Sequence, residues 1–139
     1  MNILFTLLFG LLLTIPSLSY SQSKKKIKKN QVKSRTEWET SYTRGKETKY
    51  KSTFRKFDKN GNMIEDILYN PKGNIKRKET FKYDGKDNKI EEIRYNPDGT
   101  VKRKITFKYD DKGLRIGRTI YDAKDQIKSK EKRQYQYYD

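Results

Sequence analysis

The chain has 139 residues, enough for one small domain, and carries 34 Lys and Arg against 18 Asp and Glu, a formal net charge of +16. Only 32% of the residues are hydrophobic and 37% are charged, a composition that leaves intrinsic disorder as an alternative. The 11 Tyr, 6 Phe and 1 Trp argue against disorder, because rings and the stems of Lys and Arg can be buried. With neither Cys nor His, the chain can form no disulfide, thiolate zinc site or cysteine nucleophile.

The N-terminal segment predicts export. Residues 3–15 form an apolar run that is too short for a membrane span and is typical of a signal-peptide core. Small residues at Ser19 and Ser21 predict cleavage before Gln22, so that residues 1–21 are a signal peptide and the protein is secreted, periplasmic or at the cell surface. The lysines follow the apolar run instead of preceding it, which leaves a retained N-terminal membrane anchor as the alternative.

The next two segments precede the main sequence pattern. Residues 22–35 are basic and poor in apolar residues, and we predict a flexible leader. Residues 36–57 predict one hairpin that turns at 43–46 and carries Trp38. We expect this hairpin to cap the remaining structure, because terminal repeats usually differ from internal ones.

Residues 57–139 contain a repeat of 26 residues. IKRKETFKYD at 75–84 recurs as VKRKITFKYD at 101–110, and a third, degenerate copy begins at Tyr121. Six segments share an aromatic residue, Asp or Asn, two variable residues, and Gly or Asp, which is the chemistry of a type I turn followed by a left-handed residue. The short spacing between turns leaves room only for strands. The sequence therefore predicts an all-β fold over residues 36–139, an antiparallel meander of stacked β-hairpin repeats with about eight strands in an open, twisted or curled sheet.

This turn type predicts which residues face each other across the hairpins. Tyr95 would face Val101, and Ile93 would face Arg103. One face would then carry the aromatic rings and the other would carry the lysines. Three isoleucines fall on the lysine side and break this pattern, which a bulge in each odd strand or partial cover of that face would explain. These residues are Ile64, Ile90 and Ile116.

The Tyr-Asp-x-x-Gly and Tyr-Asn-Pro-x-Gly turns resemble the YD repeats of the RHS family and the short secreted repeat proteins of Bacteroidetes-type bacteria. The resemblance covers residues 57–139; hairpin-repeat antitoxins of the MORN type are a weaker match. RHS repeats form β-hairpin strips that curl into shells around a toxin. The resemblance therefore implies a β-hairpin fold and an extracellular scaffold role, and it supplies neither a ligand nor a site.

No combination of residues predicts catalysis, and we expect no catalytic, cofactor or metal site. The adjacent acids at 65–66 and 91–92 should point to opposite faces of their strands, so they cannot face each other across a cleft. Residues 58–62 resemble a calcium loop only faintly and are explained by a turn. Strand alternation should separate Phe81 from Lys82, so we do not expect a nucleic-acid stacking platform.

Positive charge is the strongest functional indication. We predict a non-enzymatic secreted or surface repeat scaffold that contacts anionic polysaccharides or envelope surfaces, and the leader should contribute most. The alternative is an immunity or antitoxin-like protein that binds a partner protein through its aromatic face; the oligomeric state stays open. The residues predicted to contact polyanions are Lys24, Lys25, Lys26, Lys28, Lys29, Lys76, Lys78, Lys102 and Lys104.

Overall fold

The structure, a computed structural model, describes residues 16–138, with side chains from residue 23 onward. The apolar run of the predicted signal peptide lies outside these residues, and the predicted cleavage point between Ser21 and Gln22 lies within a helix; cleavage itself stays a prediction. No helix in this range is long and apolar enough to cross a membrane.

Helix α1 (Pro16–Lys29) precedes eight strands that form one sheet, in which every strand pairs antiparallel with the next. The predicted all-β meander of about eight strands is confirmed, and the sheet is open, with the first and last strands at its edges. The strands are β1 (Ser34–Thr43), β2 (Lys46–Phe57), β3 (Met63–Tyr69), β4 (Ile75–Tyr83), β5 (Lys89–Tyr95), β6 (Val101–Tyr109), β7 (Arg115–Tyr121) and β8 (Ile127–Lys132).

Six of the connecting turns share one backbone geometry. In the turn after β5, the Asn96 N–H donates to the Thr100 carbonyl at 2.9 Å, and the Gly99 N–H donates to the Asn96 carbonyl at 3.0 Å. The fourth position has positive φ, as at Gly99 (87°) and Asp87 (65°), which Gly adopts freely and Asp tolerates. These are the turns that the sequence predicts. We call residues 58–62, 84–88 and 110–114 the proximal turns, and residues 70–74, 96–100 and 122–126 the distal turns.

Two sets of β-bulges interrupt the strand pairing. In the first set, Ile90 is the extra residue between the pairs Lys82–Glu91 and Tyr83–Lys89. Ile64 and Ile116 occupy the same place in β3 and β7, so a bulge in each odd strand, one of the two explanations given above, is correct. The second set lies in the even strands beside the distal turns. Its extra residues are Lys76, Lys102 and Lys128.

The second set of bulges makes the predicted faces wrong. Tyr95 faces Val101 as expected, but Arg94 rather than Ile93 faces Arg103. A slip of one residue sends every following side chain to the other face, so the strand-end tyrosines share a face with lysines. Lys78 accordingly lies opposite Tyr95, with its Nζ 5.4 Å from the ring centroid.

Most lysines and arginines of the sheet lie on opposite faces; Lys89 is an exception, because its Nζ lies 5.1 Å from the ring centroid of Phe81, on the side of the arginines. The lysine face carries Lys51, Lys56, Lys78, Lys82, Lys104 and Lys108 beside Tyr69, Tyr95 and Tyr121. The arginine face carries Arg55, Arg77, Arg94, Arg103 and Arg118 beside Phe81 and Phe107. Few apolar side chains are buried: Ile67 on the lysine face is 9% exposed and Ile105 on the arginine face is 2% exposed. Long polar side chains therefore cover most of this single-layer sheet.

Residues 22–35 differ from the predicted flexible leader, because α1 packs against the proximal turns. Ile27 is 9% exposed. A Cβ added to Gly61 would lie 2.8 Å from the Lys24 carbonyl oxygen, so the helix backbone passes directly over this turn. The Lys24 ammonium also lies 3.4 Å from a carboxylate oxygen of Asp87. The segment predicted to be a flexible leader is therefore largely helical and packed.

The hairpin formed by β1 and β2 continues the sheet and does not fold over it. The turn predicted at 43–46 is present, with positive φ at Arg44 and Gly45. β2 pairs with β3 only from Thr53 onward, so residues 38–51 form a two-stranded arm that extends beyond the rest of the sheet.

Candidate anion-binding site

Two consecutive repeats form a basic pocket of about 390 Å³ beside the distal turns. Its charged side chains are all cationic: Lys76, Arg77, Arg94 and Lys102. The rest of the lining comes from Leu68, Tyr95, Asn96 and Pro97. The bulges at Lys76 and Lys102 create this arrangement, because an extra residue redirects the local side chains of a strand.

Buried acids hold the two arginines of the basic pocket. The Arg77 guanidinium donates to Asp66 at 3.0 Å, and the Arg94 Nε donates to Glu79 at 2.6 Å. Asp66 is 5% exposed and Glu79 is 7% exposed, so these charge-assisted bonds restrict the guanidinium positions.

The two lysines of the basic pocket are exposed, and neither has an ion-pair partner within residues 16–138. Lys76 and Lys102 therefore present their full charge to solvent. Only the two arginines of the pocket have acidic partners, which leaves the pocket positive and able to bind a carboxylate, sulfate or phosphate group.

The adjacent acids Glu65 and Asp66 point to opposite faces, as their spacing predicts. Glu65 lies on the lysine face, 3.1 Å from Lys56 and 3.3 Å from Lys78. Asp66 lies on the arginine face, bonded to Arg55 at 2.9 Å and to Arg77. Burial acts to raise the pKa of Glu65, but the hydrogen bonds from both lysines outweigh it, and the pKa lies below its ordinary value. These carboxylates thus have structural partners.

The nine lysines predicted to contact polyanions lie in three separate places. Lys76 and Lys102 line the basic pocket. Lys78 and Lys104 lie on the lysine face, ion-paired with Glu65 and Asp125. The other five are on α1: Lys24, Lys25, Lys26, Lys28 and Lys29. The proximal and distal turns are separated by a strand's length, nine residues in β4 or about 30 Å, so these lysines do not form one site.

Sequence reasoning missed Arg77 and Arg94 in the basic pocket. Arg77 follows Lys76 in the IKRK motif and recurs in the next repeat, which could have marked it as a candidate. The incorrect register separated it from the other pocket residues. The predicted register placed Ile93 opposite Arg103, whereas Arg94 occupies that position in the structure. Only the bulges bring the four cations together.

Rings and lysines share the lysine face, contrary to the separation expected from alternation. The ammonium groups lie over the rings, at 4.3 Å from the Tyr69 centroid for Lys51 and 4.6 Å from the Tyr121 centroid for Lys104. These rings are therefore covered by cations and do not form an open stacking platform. The hydrogen bond to Asp125 also raises the pKa of Lys104.

The aromatic rings do not form the single face through which the partner-protein alternative would bind. Phe54, Tyr69 and Tyr95 lie on the lysine face, whereas Phe81 and Phe107 lie on the arginine face. This division follows from the same register shift, and the immunity or antitoxin-like hypothesis itself stays a prediction.

Residues 58–62 form a turn, as expected. One Asp58 carboxylate oxygen accepts the Asn60 and Asn62 backbone amides at 2.8 and 2.9 Å. Throughout residues 16–138, no group of three acidic, His or Cys side chains could hold a metal ion.

Fold and pocket together define a single-sheet β-hairpin repeat protein with a basic pocket between repeats. The chain matches no protein-family model and no curated protein at a significant level. The resemblance to the YD repeats of the RHS family stays a prediction.

Proposed function

We propose that the protein is a non-enzymatic repeat scaffold that binds anionic polymers through its basic pocket. The observation that supports this function is the meeting of four cationic side chains from two consecutive repeats in a pocket that no acidic side chain lines. The signal-peptide pattern and the YD-like turns support a secreted or surface location, where the natural ligands would be acidic polysaccharides or anionic envelope groups.

The chemistry of the basic pocket fits a polymer-borne anionic group. An arginine guanidinium offers a planar fork of donors to a carboxylate or sulfate, and a lysine adds a mobile point charge. A volume of about 390 Å³ accommodates such a group with part of the ring that carries it.

A weaker copy of the basic pocket follows one repeat later, and this favours an extended ligand. Arg103 and Lys128 repeat the positions of Arg77 and Lys102, whereas Ile120 replaces Arg94. Two strands per repeat place the copies about 10 Å apart, so one chain could contact both.

The experiment compares two double variants with the same loss of charge. Lys76→Gln/Lys102→Gln removes the free lysines of the basic pocket, and Lys59→Gln/Lys108→Gln removes two exposed lysines elsewhere. On a heparin-type column, the pocket variant should elute at clearly lower salt than the control variant. Its slope of log affinity against log salt concentration should also decrease by about 2. Equal elution of the two variants would show that binding depends on total charge and not on the basic pocket.

The lysines of α1 provide a second cationic surface, and the leader hypothesis needs a milder test than deletion. Removing residues 22–33 would also remove buried Ile27 from the proximal turns. Replacing exposed Lys25 and Lys26 by Gln keeps the helix and removes the same charge as the pocket variant. If the leader contributes most of the binding, this variant should elute before the pocket variant.

A further inference from the structure

β1 is an edge strand of the sheet and carries two exposed aromatic rings. Trp38 is 60% exposed and Tyr42 is 73% exposed, and both lie on the same face because they are four residues apart. The irregularity of the β1–β2 pair adds an extra residue to β2, so β1 itself is regular. A regular edge with free backbone groups is a template for pairing with another strand.

The opposite edge of the sheet is protected in a way that β1 is not. β8 carries Lys128, Lys130 and Lys132 within six residues. Edge lysines oppose the addition of a further strand. β1 contains no lysine. The two edges therefore differ in their capacity to pair.

We propose that β1 pairs antiparallel with β1 of a second copy of this chain, in a register centred on Thr40. The proposal is independent of the proposed polymer binding. It gives a closed two-fold dimer, since the same surface of each copy forms the interface.

Charges and rings select this register. Centring on Thr40 places Trp38 opposite Tyr42 of the second copy, twice, and aromatic cross-strand pairs are stabilising. It also places Glu39 opposite Ser41 of the second copy and brings no two like charges face to face. Centring on Trp38 would oppose Glu37 to Glu39, and centring on Glu39 would oppose two glutamates directly.

The arm also gains from such pairing. A two-stranded ribbon has little stability in water, and pairing would convert the two arms into one four-stranded ribbon. Rings of this size bury about 150–250 Å² each when fully covered, and these are 60% and 73% exposed, so the four rings would contribute roughly 500 Å². That area is below the range of stable complexes, and we therefore expect a weak dimer that dissociates at micromolar concentrations.

The sequence offers two clean probes. Trp38 is the only tryptophan, so its emission should shift to the blue as the protein concentration rises, and Tyr42→Ser should abolish the shift. The chain has no cysteine, so Thr40→Cys introduces a single thiol at the proposed two-fold axis. Ser34→Cys is the matched control on the same strand, where the two thiols would be about 40 Å apart in the dimer.

We expect Thr40→Cys to oxidise rapidly to a covalent dimer while Ser34→Cys stays monomeric, and sedimentation of the native chain to show a monomer–dimer equilibrium. A native chain that stays monomeric at high concentration would overturn the proposal. Equal cross-linking of the two cysteine variants would also overturn it, as would growth into species larger than a dimer, which would indicate pairing of β1 with β8.

Discussion

A close contact between α1 and the proximal turn at Gly61 can be tested with a pair of glycine variants. Gly61 and Gly73 occupy the same turn position, with φ of 78° and 81°. A Cβ at Gly73 meets no atom within 4 Å, whereas at Gly61 it would lie 2.8 Å from the Lys24 carbonyl oxygen and 3.0 Å from the Lys28 backbone nitrogen. Replacement by alanine therefore costs backbone strain at both sites, but only Gly61→Ala also displaces the helix.

The two variants should differ by the free energy of helix packing. Left-handed backbone costs an alanine about 1–2 kcal/mol, which is the whole effect expected for Gly73→Ala. Gly61→Ala should lower the free energy of unfolding by a further amount of about 1.5–3 kcal/mol, which is the contribution expected from burial of the Ile27 side chain. Urea unfolding measures both losses, and hydrogen exchange should show faster exchange of the α1 amides in Gly61→Ala alone. Equal destabilisation with unchanged α1 exchange would refute the packing of α1 on the proximal turn.

Two further substitutions test the core and the turns. Ile105→Ala should lower the free energy of unfolding by about 2–4 kcal/mol because this side chain is 2% exposed, whereas Ile127→Ala, 52% exposed, should have a much smaller effect in the same denaturation assay. Hydrogen bonds from the Asn88 side chain and backbone lower the pKa of Asp84 below its ordinary value of 3.8, so its contribution to stability is present above that pH and is lost as the pH falls below it. Asp84→Asn should therefore flatten the decline of melting temperature below about pH 4, and an unchanged profile would contradict this assignment.

The strands and turns could be predicted from the sequence because each turn carries its own local signature. The type I turn with a left-handed fourth residue depends on neighbours within five positions, as from Asn96 to Thr100. The bulges at Lys76 and Lys102 carry no such signature, since a lysine is compatible with either face of a solvated strand. One extra residue beside each distal turn was enough to reverse the predicted faces.

α1 was missed for a different reason. The lysine-rich C-terminal part of α1 has one buried apolar side chain, Ile27. Hydrophobic periodicity therefore did not indicate an amphipathic helix there. Its packing surface comes from Gly61 and Asp87, which lie far along the chain. Of the basic pocket, the sequence predicted the two lysines and missed the two arginines, because only the true register brings all four together.

Some residues of the arginine face contribute both to the stability of the sheet and to the basic pocket, and this limits which substitutions can test binding alone. Asp66 is bonded to arginines on both neighbouring strands, and Glu79 is bonded to Arg77 and Arg94. Removing either arginine would take one of its two cationic partners from a buried carboxylate, and the weaker compensation of that charge would reduce stability as well as binding. The lysines carry no such structural role, since Lys76 and Lys102 are exposed and have no ion-pair partner in the described part of the chain. The arginines thus fix the shape of the pocket, and substitution of the lysines is the perturbation that separates recognition of an anion from maintenance of the sheet.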